Sequence, residues 1–269
     1  MGDPPKGDWL GTPFLRFERD GSLATVTVDR PEARNAMTPA MYFGVRRAID
    51  VVNGSAELAG LLITGTGDVF IPGGDMGGAT DGSEWEGALQ LGMDCTPFDA
   101  VRNSPKPVVC AVNGICQGGG LMIAMLSDVA VASNQATFRA PELLRGIADT
   151  NYAQVLPHQI GPARARDMLV TGRRVSAGEG LAWGLVSRVV PHDDLVAEAT
   201  EALTQACRAA PQARAVAKRI INMQYGLYDR LSMDESLRGP ESAEGWKAFA
   251  ERRSPHWIPD DLRPEDGRL

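Results

Sequence analysis

Two glycine-rich turns, each set close behind a short apolar run, limit most sharply what this chain can fold into. The first is Phe70-Ile71-Pro72-Gly73-Gly74-Asp75-Met76, downstream of the buried-strand pattern Leu61-Leu62-Ile63. The second is Asn113-Gly114-Ile115-Cys116-Gln117-Gly118-Gly119-Gly120, which follows the strand pattern Val108–Val112 and opens an apolar stretch over residues 121–126. Val129-Ala130-Val131-Ala132 then returns as a strand. These turns absorb part of an unusual count, 30 glycines in 269 residues, against an ordinary share of about 7%.

Neither turn has a nucleotide-binding pattern. Gly-x-Gly-x-x-Gly is missing from the strand–turn–helix context it requires, and Gly-Lys-Ser/Thr is missing altogether. Two readings remain. The glycines serve tight turns, or they let main-chain N–H groups approach a ligand oxygen beside a helix N-terminus. Two such groups converging on one carbonyl make an oxyanion hole.

The flanking pattern predicts the scaffold. Alternation over residues 14–19 and 23–29 around Asp20-Gly21 predicts a β-hairpin. Thr38-Pro39 reads as an N-cap and first helical residue, with Met41, Val45, Ile49 and Val52 following at helical spacing. Residues 70–87 read as a loop or a set of tight turns. Beyond residue 162 the pattern turns helical, with helices expected over 162–170, 176–183, 193–209, 211–226 and 232–251 and one strand over 186–190. The expectation is an α/β core over residues 1–200 and a helical region over residues 201–269.

Charge and cysteine usage exclude several classes of function. With 27 basic against 34 acidic residues the net charge is −7, which argues against nucleic acid as the main partner. An anionic small molecule stays open, because it needs only a few local donors. Cys95, Cys110, Cys116 and Cys207 form no Cys-x-x-Cys pair and are too sparse for a disulfide framework. His158, His192 and His256 are too far apart in sequence for a His-x-x-x-His metal pair. The N-terminus has no apolar signal core, and no run approaches the roughly 20 apolar residues of a membrane span. A cytoplasmic protein with no membrane association and no structural metal is expected.

Downstream of the glycine cluster stands Phe138-Arg139-Ala140-Pro141-Glu142, followed by Leu143-Leu144. A glutamate in such apolar company is a candidate buried carboxylate, its pKa raised toward neutrality as a general acid/base requires. Read alone, it is more simply a plain glutamate at a helix start, with proline before it.

The order of motifs adds to these readings. Arg30-Pro31-Glu32-Ala33-Arg34-Asn35-Ala36-Met37 comes first, then Phe70-x-x-Gly-Gly-Asp, then Lys106-Pro107-Val108, Asn113-Gly114 and the triple glycine, then Ala-Pro-Glu142. Leu169-Val170-Thr171-Gly172-Arg173, Ala182-Trp183-Gly184-Leu185-Val186 and Glu244-Gly245-Trp246-Lys247 continue the series. The ordered set resembles the crotonase superfamily, the enoyl-CoA hydratase/isomerase family, over nearly the whole chain.

That resemblance implies a spiral of ββα units with a helical C-terminal trimerisation region, assembled as a homotrimer or a hexamer of two trimers. It implies an acyl-CoA thioester as substrate, with coenzyme A entering only as part of that substrate and no other cofactor. By position, the amides of Gly74 and Gly119 become the oxyanion donors, and Glu142 becomes the acid/base. Ala33, Asp75, Met76, Met122 and Asp149 become substrate or CoA contacts, and Arg34, or Lys247 and Arg252 together, pair with CoA phosphates.

The chain also departs from the family pattern. The hydratases use a second glutamate just after the triple glycine, and here that position is Met122, which cannot move a proton. A single carboxylate suffices to move a proton between two carbons, so double-bond isomerisation becomes an alternative to hydration, and non-catalytic acyl-CoA binding a further one. After Glu142, a glycine-rich family turn is replaced by Asp149-Thr150-Asn151-Tyr152. Asp149 is then either a replacement acid or the cap of a helix starting near Asn151. Asp94 and Cys95 also come into reach of the acyl pocket.

Overall fold

The computed structural model of the chain describes residues 8–75, 85, 96–226, 230–258 and 263. Strands β1 (Leu15–Asp20) and β2 (Leu23–Val28) form the expected antiparallel hairpin. Helix α1 (Pro39–Gly54) is capped by Thr38, whose side chain accepts from the Met41 amide. Strands β3 (Gly60–Gly65), β5 (Val108–Val112), β7 (Val129–Ser133) and β10 (Arg188–Val190) then extend the hairpin as parallel neighbours. The resulting six-stranded sheet has the order β1-β2-β3-β5-β7-β10. Every residue of β5 is buried, as expected of a parallel strand covered on both faces.

A second sheet was not legible in the sequence. It consists of β4 (Val69–Ile71), β6 (Ile115–Gln117), β8 (Thr137–Arg139) and β9 (Val175–Ser176), in that order. Strands of two or three residues carry too few positions to show a period, so in sequence β4 and β6 merge with the glycine turns that follow them. The two sheets define the repeating unit. One strand joins the large sheet, the next joins the small sheet, and a helix returns the chain, as in β5, β6 and α3 (Gly119–Leu126).

After a short helix α2 (Phe98–Asn103), which precedes β5, the described residues also form α4 (Thr150–Ile160), α5 (Pro162–Thr171), α6 (Ala177–Trp183), α7 (Leu195–Arg208), α8 (Pro211–Met223), α9 (Arg230–Leu237) and α10 (Pro240–Ala250). The single helix expected over 232–251 is two helices, because Pro240 lacks an N–H and restarts the helix at its first position. Residue 200 falls inside α7, whose Leu195, Ala199, Ala202 and Leu203 pack on Leu62, Val109, Ala111 and Val131 of the large sheet. The main core lies between the two sheets and α1 and α3, and includes Val45, Ile49, Ile63, Phe70, Leu121 and Phe138. No helix among the described residues is long and apolar enough to cross a membrane.

Candidate active site

The glycine turns face each other. Gly73 sits at φ +109° behind β4, and Gly118 at φ +53° behind β6. A Cβ placed on Gly118 would stand 3.1 Å from the Gly73 Cα. Only side-chain-free residues allow two backbones this close at positive φ. Two asparagines fix the first turn from behind. Asn35, itself left-handed at φ +61°, donates to Val69 O at 2.7 Å and Thr66 O at 3.0 Å. Asn113 donates to Gly67 O at 2.8 Å and accepts from the Gly65 amide at 3.2 Å. Both lie in motifs quoted above, and their roles are structural.

Hydrogen bonding decides which amides stay free. Met37 pairs with Gly74 as a parallel bridge, in which the Met37 amide donates to Gly73 O at 2.9 Å and the Asp75 amide donates to Met37 O at 2.8 Å. Successive amides of an extended strand point to opposite sides, so the Gly74 N–H points away from this bridge. Gly119 is the first residue of α3, and a first-turn amide has no acceptor within its own helix. Its carbonyl partner across the peptide, Gly118 O, accepts from Met122 N at 3.1 Å. Among the described residues neither the Gly74 nor the Gly119 N–H has a backbone acceptor, and these are the two glycines to which the resemblance points.

Both glycines line one cavity of about 1040 Å³. The same wall holds Ala33, Arg34, Asp75, Glu142, Asp149 and Arg252. The C-terminal helices close it over with Met233, Leu237, Trp246 and Phe249. Asp75 is buried and pairs with the equally buried Arg30 at 2.7 Å, and Arg30 also donates to Ala36 O at 2.9 Å and lies over the Phe14 ring. This buried clamp anchors the residue next to Gly74. Trp85 adds a further tie by donating from Nε1 to Asp75 O at 2.8 Å.

Other expected contacts are placed elsewhere. Met122 is fully buried in the core and does not line the cavity; its contribution is the main-chain bond to Gly118. Lys247 is exposed and also lies outside the cavity wall. Met76, Asp94 and Cys95 lie outside the described residues.

Glu142 opens a short 3-10 turn, Glu142–Arg145, that ends at Gly146 in the left-handed region. Its Oε2 is shut off from solvent and has no hydrogen-bond partner among the described residues. Burial, reinforced by the charge of Asp149, pushes its carboxyl up to about 8, against a smaller opposing pull from Arg145 and Arg139. Asp149 is the N-cap of α4, with Oδ1 accepting from the Tyr152 amide at 3.0 Å. Burial lifts it to about 6, while the amides of Tyr152 and Asn151 hold it down. The helix-cap reading of Asp149 is therefore met in the structure. A carboxyl and two amides without partners among the described residues, around one cavity, can stabilise an oxyanion and move a proton beside it.

Tyr152, in the segment that replaces the glycine-rich family turn, does not reach the cavity with its phenol. It instead lies wholly inside the protein, donating to Gly118 O at 2.5 Å. Arg30 was legible only as a member of a motif, since nothing in the sequence pairs it with Asp75, 45 positions away.

The family model described as "Enoyl-CoA hydratase/isomerase" matches residues 18–259. A carnitinyl-CoA dehydratase of Salmonella typhi is 33% identical over 260 residues, covering 90% of this chain and 97% of that protein. A probable enoyl-CoA hydratase of Mycobacterium tuberculosis is 32% identical over 253 residues, with the same coverage of 90% and 97%. Among solved structures, an enoyl-CoA hydratase from Mycobacterium avium subsp. paratuberculosis superposes with a TM-score of 0.78 at 26% identity, covering 91% of this chain and 99% of that one. A carnitinyl-CoA hydratase from Mycobacterium avium gives 0.75 at 29% identity, covering 91% and 98%.

Proposed function

The chain belongs to the enoyl-CoA hydratase/isomerase family, and from that membership we propose that it acts on an acyl-CoA thioester through an enolate held by the Gly74 and Gly119 amides. Glu142 is the acid/base of this reaction. The observation that carries the reading is the Glu142 carboxyl, its Oε2 buried and without a hydrogen-bond partner among the described residues, in the wall it shares with Gly74 and Gly119.

The reaction favoured by these residues is double-bond migration. Glu142, as carboxylate, takes a proton from C2 of a 3-enoyl thioester. The electron pair flows onto the thioester oxygen, where two N–H donors stabilise it. Collapse of the dienolate returns the proton from Glu142 to C4 and leaves the double bond between C2 and C3. Atoms and electrons balance without a redox partner, so coenzyme A of the substrate is the only cofactor needed. Hydration is the second reading, favoured by the names of the relatives. It needs a group to activate water, and Met122 leaves that role without a carboxylate on α3.

Arg34 and Arg252, at the cavity wall, suit the CoA phosphates. A homotrimer or a pair of trimers is in keeping with the apolar side chains that α8 leaves exposed, Val216, Ile220, Ile221 and Met223; light scattering on the purified protein tests this. The reaction itself is tested with 2-enoyl- and 3-enoyl-CoA esters in deuterated water, read by mass spectrometry. Migration adds deuterium only, hydration adds the mass of water, and Glu142→Gln is expected to abolish both. Exchange at the wild-type rate in that variant would remove Glu142 from the mechanism, and tight binding without exchange in the wild type would leave a non-catalytic acyl-CoA binder.

A further inference from the structure

Tyr152 is the largest fully buried side chain among the described residues, yet it is absent from the cavity wall. Its hydroxyl donates to Gly118 O at 2.5 Å across 34 positions of sequence. We propose that Tyr152 is a positioning residue for the oxyanion contact, fixing the Gly118–Gly119 peptide so that the Gly119 N–H faces the thioester oxygen. The inference rests on the reading above, in which that N–H is one of two donors.

The geometry of one peptide unit makes the connection. In a trans peptide the C=O and the following N–H point in opposite directions. Whatever holds Gly118 O therefore aims the Gly119 N–H. Gly118 has φ +53° and ψ −134°, a conformation open essentially to glycine alone. Glycine brings no side chain to lock it there, so the lock is external. It has two parts, the first helical bond from Met122 N at 3.1 Å and the phenol of Tyr152.

The phenol also acts on the chemistry. Charge developing on the thioester oxygen draws the Gly118–Gly119 amide toward its polar resonance form, which loads negative charge onto Gly118 O. A hydroxyl already donating there gains strength at that moment, as linked hydrogen bonds do. The gain arises in the transition state more than in the bound ground state, so it belongs to turnover more than to binding. Burial, with Glu142 and Asp149 nearby, pushes the phenol well above its ordinary pKa and keeps it a donor. Asp149 aims the ring by capping α4 at the Tyr152 amide, 3.0 Å away. The Gly74 donor is anchored separately by the Arg30–Asp75 pair, so loss of the phenol weakens one contact of two.

The test uses the full-length protein with saturated [1-13C]butyryl-CoA, following the thioester C=O stretch by isotope-edited infrared difference spectroscopy and α-proton exchange by mass spectrometry. Wild type is expected to shift the stretch to lower wavenumber. Tyr152→Phe keeps the ring and is expected to lose much of that shift. Its exchange rate should fall about ten- to a hundredfold, less than outright removal of a donor, with ligand affinity changed by less than about threefold. A full shift and a wild-type rate in Tyr152→Phe would overturn the inference while leaving the oxyanion reading intact. No shift in the wild type would overturn both. If the phenylalanine variant does not fold, 3-fluorotyrosine at position 152, a stronger donor, should enlarge the shift; an unchanged or smaller shift would overturn the inference.

Discussion

Glu142 lies directly against Gly118: a Cβ on Gly118 would stand 3.1 Å from Glu142 Oε1. The residue before the proposed donor Gly119 thus also forms the seat of Glu142, the proposed acid/base. Replacing Gly118 with alanine should displace the carboxyl and strain a backbone at φ +53°. The expected cost is about 1–3 kcal/mol of stability, read by urea unfolding, with α-proton exchange reduced on the order of a hundredfold by misplacement. A variant that keeps both stability and exchange would show that neither the seat nor the conformation matters.

The raised carboxyl of Glu142 makes a signed prediction for stability. The group titrates near 4.5 in the unfolded chain and near 8 in the fold. Between those values the folded state holds the extra proton, so stability declines as pH rises through this window. Glu142→Gln removes the titration. Thermal melts should find the variant more stable than wild type at pH 9, on the order of 1–3 kcal/mol, with the difference vanishing near pH 4. Equal melting points at both pH values would contradict a buried, ionisable Glu142.

Asp149 combines two effects that substitution can separate. Asparagine keeps a good N-cap and removes the charge; alanine removes both. Asp149→Asn should leave stability nearly unchanged and lower the pH midpoint of exchange, because one of the causes raising Glu142 is gone. Asp149→Ala should in addition lose about 1 kcal/mol of helix capping, measured by denaturant titration. Loss of exchange at every pH in the asparagine variant would instead make Asp149 a proton carrier.

The buried Arg30–Asp75 pair predicts a larger penalty. Asp75→Asn leaves the guanidinium with Ala36 O and the exposed Glu32 carboxylate at 3.7 Å, and no buried counter-charge. Breaking one half of such a pair costs about 3–5 kcal/mol. Urea unfolding should show that loss, and exchange should fall with it because Asp75 adjoins Gly74. A loss below 1 kcal/mol would mean that the pair does not anchor this turn.

The sequence by itself determined the hairpin around Asp20-Gly21, the Thr38 cap, the buried strands of the large sheet and the places of the two glycine turns. These features are local: a turn dipeptide, a cap, a run of apolar residues or a missing side chain carries its meaning within a few positions. It also marked Glu142, since an acidic residue among apolar neighbours stands out in one dimension. Tertiary structure alone decided the rest. The small sheet exists because strands too short to be read pair with one another across dozens of residues. Glu142 becomes a group titrating near 8 only because the fold excludes water and brings Asp149 beside it. The same packing seals Tyr152 against Gly118 and Arg30 against Asp75. Hydrogen bonds between distant positions leave no trace in periodicity or composition, and their strength depends on the low dielectric that only a packed interior supplies.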